Sequence, residues 1–165
     1  MQIVVFCGGP SSEYDVSLST TEGIIKNIDP KHEVKILLMG KDYKSVLFEP
    51  VGDRKNFSIP KNELAEDLSK ISKDSVVLIA MHGEFGEDGV VQSLLDSIGL
   101  KYTGSKASGS ILCMDKYASY QALSGNVNVV IPEIYAIGKI LSVEYSNLKF
   151  PLIVKPNALG SSVGV

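Results

Sequence analysis

The apolar run Ile3-Val4-Val5-Phe6-Cys7, which ends abruptly in Gly8-Gly9-Pro10-Ser11-Ser12, narrows the fold more than any other feature of this chain. It shows no alternation of apolar and polar residues, so a strand made from it would be buried on both faces. A continuous apolar strand that runs into a glycine turn is how a parallel sheet covered by helices on both sides reads in sequence. The residues that follow fit. Val16, Ile24, Ile25 and Ile28 recur at roughly helical spacing, and Pro30 stands where it would stop that helix. Val34–Met39 predicts a second strand. The segment 40–62, with Gly40, Pro50, Gly52 and Pro60 among many polar residues, reads as a loop or short irregular insertion. Leu64, Leu68 and Ile71 give one face of a short helix, and Val76–Met81 predicts a third strand.

His82-Gly83 and the turn Glu84–Gly89 come next, then the periodic segment Val90, Val91, Leu94, Leu95 and Ile98. Asp88 is placed to cap that helix, because its carboxylate can accept N–H groups of the first turn. Gly99 ends it, and Lys101–Thr103 predicts a short fourth strand. Repeated strand–helix units imply right-handed crossovers and a doubly wound α/β sheet. Such sheets bind ligands at the carboxyl ends of their strands. Those ends carry Gly8–Glu13, His82-Gly83 and Gly104-Ser105, so three loops are marked as the site before any chemistry is considered.

Past Ser105 the texture changes, which puts a domain boundary near residue 104: an α/β domain over 1–104 and the start of another over 105–165. Ser108–Met114 and Lys116–Leu123 read as helices, Ile131–Ile137 and Phe150–Pro156 as strands. The chain stops at Ser161-Ser162-Val163-Gly164-Val165, inside what reads as a loop leading into another strand, and a fragment is therefore expected.

Composition excludes several classes of function. The longest unbroken apolar run, Val76–Met81, is far short of the ~20 residues needed to span a bilayer. The first residues have no basic region and too short an apolar stretch for a signal peptide. Net charge is −3 and Arg54 is the only arginine, so there is no basic face for nucleic acid. Cys7 and Cys113 form no CxxC pair and suit a reducing cytosol.

Four places could carry chemistry. Gly8–Glu13 is neither GxGxxG nor a P-loop, and a tight turn would read the same. Within it, Glu13 near a helix N-terminus would stay ionised and could pair with a substrate ammonium, or could simply satisfy the helix start. His82 closes an apolar strand and precedes a glycine that permits close approach, which points to a substrate contact; His32, the other histidine, reads as an exposed loop residue. Glu87-Asp88 could suggest a metal pair, but capping explains Asp88 more simply, and no metal ligand is assigned. Lys155 leaves an apolar strand just before Gly160-Ser161-Ser162, whose N–H and hydroxyl donors with one compact cation suit phosphate oxygens. A Ser/Gly hairpin beside a solvated lysine would look alike. Lys116, after Met114-Asp115, could be a second cation on the same phosphates or a surface helix lysine.

Three blocks together resemble the D-alanine–D-alanine ligases of the ATP-grasp superfamily. They are Gly8-Gly9-Pro10-Ser11-Ser12-Glu13-Tyr14-Asp15-Val16-Ser17; then Met81–Gly89 with Tyr102-Thr103-Gly104-Ser105 and Met114-Asp115-Lys116; then Val154-Lys155-Pro156 with Gly160–Gly164. The resemblance spans nearly the whole chain but about the first half of a family member. The family pattern usually has His-Glu where this chain has Tyr14-Asp15, and a small residue or Asp where it has Lys106. The resemblance implies a substrate-binding domain followed by the first part of an ATP-grasp domain, and an ATP-driven ligase that joins two D-alanines for peptidoglycan precursors. ATP would phosphorylate the first D-alanine's carboxylate, and the second D-alanine's amine would attack the acyl phosphate. Glu13 would hold the first ammonium, helped by Ser161, with His82 against that substrate. Lys116 and Lys155 would contact ATP phosphates, and Ser162 would belong to the loop closing over them. The family also needs acidic magnesium ligands and an arginine well downstream, so Mg2+ is expected to be held outside this chain and the 165 residues alone to be inactive. A homodimer is implied for the full length. A D-alanine–D-lactate or D-alanine–D-serine ligase would share these blocks; a non-catalytic α/β binding module would have no reason to carry Lys155–Gly164.

Overall fold

The computed structural model describes residues 1–50, 52–59, 70–128, 150–160 and 164. They fall into two compact units, Met1–Ile111 and Leu112–Val165. The first unit holds a five-stranded sheet in the order β3-β2-β1-β4-β5. Its elements are β1 (Gln2–Gly8), α1 (Tyr14–Asn27), β2 (Glu33–Met39), β3 (Ser45–Phe48), β4 (Val76–Ile79), α2 (Val90–Ser97) and β5 (Lys101–Tyr102). β1 pairs in parallel with both β2 and β4, and β4 with β5, while β3 runs antiparallel to β2.

The unbroken apolar character of β1 has the expected consequence: Val4, Val5, Phe6 and Cys7 are all fully buried. Because strand side chains alternate, they feed two separate cores. Val4 and Phe6 join Leu37, Met39 and Val77 on the face covered by Val91 and Leu95 of α2. Val5 and Cys7 join Val34 and Ile36 on the face covered by Ile25 of α1. The sheet is thus wound on both sides, mostly parallel, as the apolar runs imply. The strands β2 and β4 lie on opposite sides of β1, so the strand order reverses there, and in sheets of this kind ligands bind beyond the carboxyl ends of the strands at that point, here β1 and β4.

Four expectations need correction. The segment read as a loop over 40–62 contains β3 and a single 3-10 turn at Arg54–Asn56. β3 is short and only half-buried, an edge strand announced by no more than the three apolar residues Val46-Leu47-Phe48. Val16 does not belong to the buried stripe of α1; it is half-exposed, and the stripe is Ser17, Thr21 and Ile25. Phe150–Pro156 pairs with no described strand, and Phe150, Ile153 and Val154 are largely exposed. An apolar run is not a strand until a ladder partner meets it. Finally, His32 is half-buried in the turn before β2, where its carbonyl accepts from Arg54 Nη2 at 3.2 Å. Leu64 and Leu68, and the strand expected at Ile131–Ile137, lie outside the described residues. Gly99 ends α2 as expected, at φ 69°. The second unit includes Lys116–Leu123, helix α4, and the end of α3 (Ala107–Met114).

Two hydroxyls occupy a helix face where apolar residues were expected, and one of them links three elements. Gly8 N–H donates to Ser17 Oγ at 2.8 Å, and Ser17 Oγ–H donates to the Ala80 carbonyl at 2.7 Å, with Ser17 fully buried. Removing this hydroxyl orphans a buried donor and a buried acceptor, each at a cost of about 1–3 kcal/mol. Ser17→Ala is therefore expected to destabilise the chain by roughly 2–4 kcal/mol in denaturant unfolding, far more than an exposed Ser→Ala change. A loss below about 0.5 kcal/mol would show that the bridge contributes little.

Candidate functional site

The first group of candidate residues assembles from the loops after β1 and β4. Gly8 turns the chain at φ 82°, in the left-handed region, with the Met39 carbonyl so close that a Cβ there would collide with it. Gly9 N–H donates to that same carbonyl at 2.8 Å. Ser11, buried, then accepts from Glu13 N–H through its Oγ at 3.0 Å and sets up the first turn of α1. Glu13 occupies the N-cap position, yet its side chain makes no capping hydrogen bond. The carboxylate thus makes none of the capping hydrogen bonds to the first turn that the helix-start alternative offers it. Instead Glu13 Oε2 lies against Gly83: a Cβ built on that glycine would stand 2.7 Å from both Glu13 Oε2 and Ser11 Oγ. Gly83, at φ 69°, is the residue that lets the two loops close on each other.

His82 stands beside this contact. Its Nε2 is 2.9 Å from Thr20 Oγ1, and its Nδ1 is 3.8 Å from Glu87 Oε1. The ring is thus oriented by α1 on one edge and faces a carboxylate on the other. Asp88 acts as the sequence predicts, accepting from Val90 N–H at 3.0 Å, and with its other oxygen accepts from Phe85 N–H at 2.8 Å. It sits one position before the helix cap, which is Gly89. Sequence reasoning missed Ser11, Thr20 and Glu87 as neighbours of these residues. For Thr20 there was one signal: Ser17, Ser19, Thr20 and Thr21 crowd hydroxyls into one helix. Hydroxyls in a helix interior compete with its backbone bonds unless a partner outside the helix holds them.

The second group lies in the second unit. Asp115 caps α4, accepting from Ala118 N–H at 2.8 Å. This bond, and a second from the Asn157 side chain, hold its carboxyl below the usual range. Lys116 follows in the first turn. Its Nζ donates to the carbonyls of Leu159 and Asn157, its N–H donates to Asn157 O at 3.0 Å, and Tyr117 N–H donates to Asn157 Oδ1 at 3.0 Å. Lys116 is therefore joined to the segment that follows Lys155 through the carbonyls of Asn157 and Leu159. Asn157 is the anchor that sequence reasoning did not single out. Lys155 itself is exposed. Ser161 and Ser162 lie outside the described residues. The backbone atoms that meet the Lys116 ammonium are carbonyl oxygens, which hold the cation in place. For magnesium, among the described residues no group of three or more His, Cys, Asp or Glu could hold a metal ion. Among the described residues no helix is long and apolar enough to cross a membrane.

A family model described as D-ala D-ala ligase N-terminus matches residues 2–105, which covers both loops of the Glu13 group. The chain belongs to the D-alanine–D-alanine ligase family. Among curated relatives, the D-alanine–D-alanine ligase of Pseudothermotoga lettingae is 37% identical over the whole chain and 48% of its own length. Among solved structures, the Bacillus anthracis ligase complexed with ATP is 32% identical, with TM-score 0.64, over 96% of this chain and 48% of that one. The Helicobacter pylori ligase, at 21% identity and TM-score 0.77 over 98% of this chain and 56% of that one, shares the fold. The chain spans about half the length of the curated relatives it matches.

Cys7 and Cys113 are both free thiols. Cys7, one residue before the glycine turn, has its thiol pushed up to about 12 by burial, offset in part by a hydrogen bond with Thr21. Cys113 is exposed. At pH 8 a thiol reagent is expected to label Cys113 and leave Cys7 untouched until the chain is unfolded, which mass spectrometry of the labelled peptides would check. The unfolded thiol ionises near 9 and the native one near 12, so above pH 9 the unfolded state holds fewer protons. This group's contribution to folding stability is therefore lost as pH rises from 9 toward 12.

Proposed function

We propose that this chain supplies the first substrate's binding domain, and the beginning of the nucleotide-binding domain, of an ATP-dependent ligase that joins two D-alanines into D-alanyl-D-alanine. The observation that carries the reading is the carboxylate of Glu13, which makes no capping hydrogen bond and lies against Gly83 where the loops after β1 and β4 meet. A carboxylate in that position suits the ammonium of an amino acid, since a charge-assisted bond is strongest where the acceptor has no competing donor. His82, oriented by Thr20, would border the same substrate. ATP, when bound, would supply the phosphoryl group that turns the first D-alanine's carboxylate into an acyl phosphate as ADP leaves; the amine of the second D-alanine would then attack the acyl carbon, lose a proton and expel inorganic phosphate. Phosphoryl transfer is chiefly a matter of position and charge neutralisation. Lys155 and Lys116 would provide that charge. An ammonium has three donors, and Lys116 already directs two of them to the carbonyls of Leu159 and Asn157, which aims it along the loop. Ser161 is assigned to the first D-alanine and Ser162 to the closing loop on the resemblance alone. Magnesium ligands belong, in this reading, to the rest of a family member's length. The unbridged Cys7 and Cys113 support a cytoplasmic setting.

Glu13→Gln in the full-length protein keeps the shape and removes the charge. A tenfold or larger loss in kcat/KM for D-alanine is expected, because a hydrogen bond to a charged group is worth about 1.5–3 kcal/mol. Unchanged kinetics would overturn the ammonium site. Lys155→Ala is expected to weaken binding of a non-hydrolysable ATP analogue, read by calorimetric titration, while D-alanine binding changes little. Intact affinity for the analogue would remove the phosphate role from Lys155.

A further inference from the structure

Among the described residues, two that are not glycine have positive φ: Tyr43 at 64° and Phe85 at 72°. For side chains this large the left-handed region is strained, and strain of this kind persists only where the surroundings hold it. The two residues come from different loops, Tyr43 from the turn after β2 and Phe85 from the turn after β4. Their rings nevertheless meet edge to face, with centroids 5.9 Å apart and planes at 65°. The turn carrying Tyr43 is closed by Tyr43 N–H to Gly40 O at 3.1 Å and by Gly40 N–H to Lys44 O at 2.8 Å. In such a turn glycine or asparagine would take the left-handed position without strain. Burial does not account for the tyrosine either, since it is 56% exposed.

The location of this turn does account for it. On one side, Met39 at the end of β2 accepts from Gly9 N–H, and Lys41 Nζ lies 5.6 Å from the ring centroid of Tyr14, the neighbour of Glu13. On the other side, Tyr43 meets Phe85. The β2–β3 turn therefore touches both loops whose contact, Gly83 against Glu13 and Ser11, makes the candidate ammonium site. Phe85 is well placed to transmit that contact. Its N–H is held by Asp88, its carbonyl accepts from Val91 N–H at 3.0 Å, and its ring packs on the core beneath α2. Gly83, two residues earlier, is tied into the same turn by Glu87 N–H to Gly83 O at 2.9 Å.

We propose that Tyr43 is a positioning residue of the ammonium site: its ring fixes Phe85 and the Gly83–Asp88 turn, so that Gly83 stays against Glu13 and the carboxylate is preformed for substrate. The proposal rests on the reading of Glu13 as the ammonium acceptor. Preorganisation of this kind acts on binding rather than on the chemical step.

The test uses the full-length protein with Tyr43→Gly, Tyr43→Phe and, alongside them, Glu13→Gln. Tyr43→Gly relieves the backbone, so its Tm is expected to equal or exceed that of the parent. Deuterium uptake at residues 83–89, followed by mass spectrometry, is nevertheless expected to quicken. KM for D-alanine in ATP-dependent phosphate release is expected to rise about fivefold or more, with kcat within about twofold. Tyr43→Phe, which keeps the ring, should match the parent in all three measurements. Unchanged uptake in Tyr43→Gly overturns the proposal, as does faster uptake with an unchanged KM. A KM that responds to Glu13→Gln and not to Tyr43→Gly condemns only the role of Tyr43. A KM that responds to neither removes the ammonium site itself.

Discussion

The hydroxyl of Ser17 is the joint on which the site depends. It takes the N–H of Gly8 where β1 ends and gives its proton to the carbonyl of Ala80 just past β4. Parallel strands end in polar groups that the sheet cannot pair, and here α1 reaches down to pair them. The bridge is fully buried, so neither group can turn to water in its place. It brings the N-terminal turn of α1 and the end of β4 to one spot. Glu13, one turn earlier on the helix, and Gly83, just beyond the strand, are neighbours as a consequence.

The same joint explains why α1 does not show a simple apolar stripe. Its buried face is Ser17, Thr21 and Ile25. Thr21 Oγ1 donates to the Ser17 carbonyl at 2.9 Å, which satisfies its hydroxyl inside the helix. Thr20, one position around the helix, reaches His82 instead. Three hydroxyls on adjacent positions therefore have three different partners: the strand ends, the helix backbone and a site imidazole. A helix buried by apolar side chains alone would pack as well, but it would leave the strand ends unpaired and the imidazole unheld.

Legibility differed by element, and for physical reasons. β1 was plain because burial on both faces forbids polar residues, which leaves an unmistakable run. Asp88 was legible as a cap because capping is local, and its bond to Val90 spans two residues. β3 was not legible: an edge strand needs only a neighbour, and its neighbour β2 is brought to it by the turn at Gly40–Lys44. Phe150–Pro156 erred the other way: it pairs with no described strand, and an apolar run is a strand only where a ladder partner meets it. Glu13 was legible as a candidate, but its two roles could not be separated without knowing whether its carboxylate bonds the helix N–H groups.

What the sequence determined by itself is the order of β1, α1, β2, β4, α2 and β5, the burial of the sheet on both faces and the marking of the loops after β1 and β4. These follow from local rules of periodicity, glycine turns and caps. What only the tertiary structure decided is which side chains from those loops meet. Gly83 against Glu13, Thr20 at His82, Asn157 under Lys116, and Tyr43 on Phe85 each join residues far apart in the chain. Such pairs depend on how distant segments pack, and in the first unit on strand order and register, which no local pattern of residues encodes.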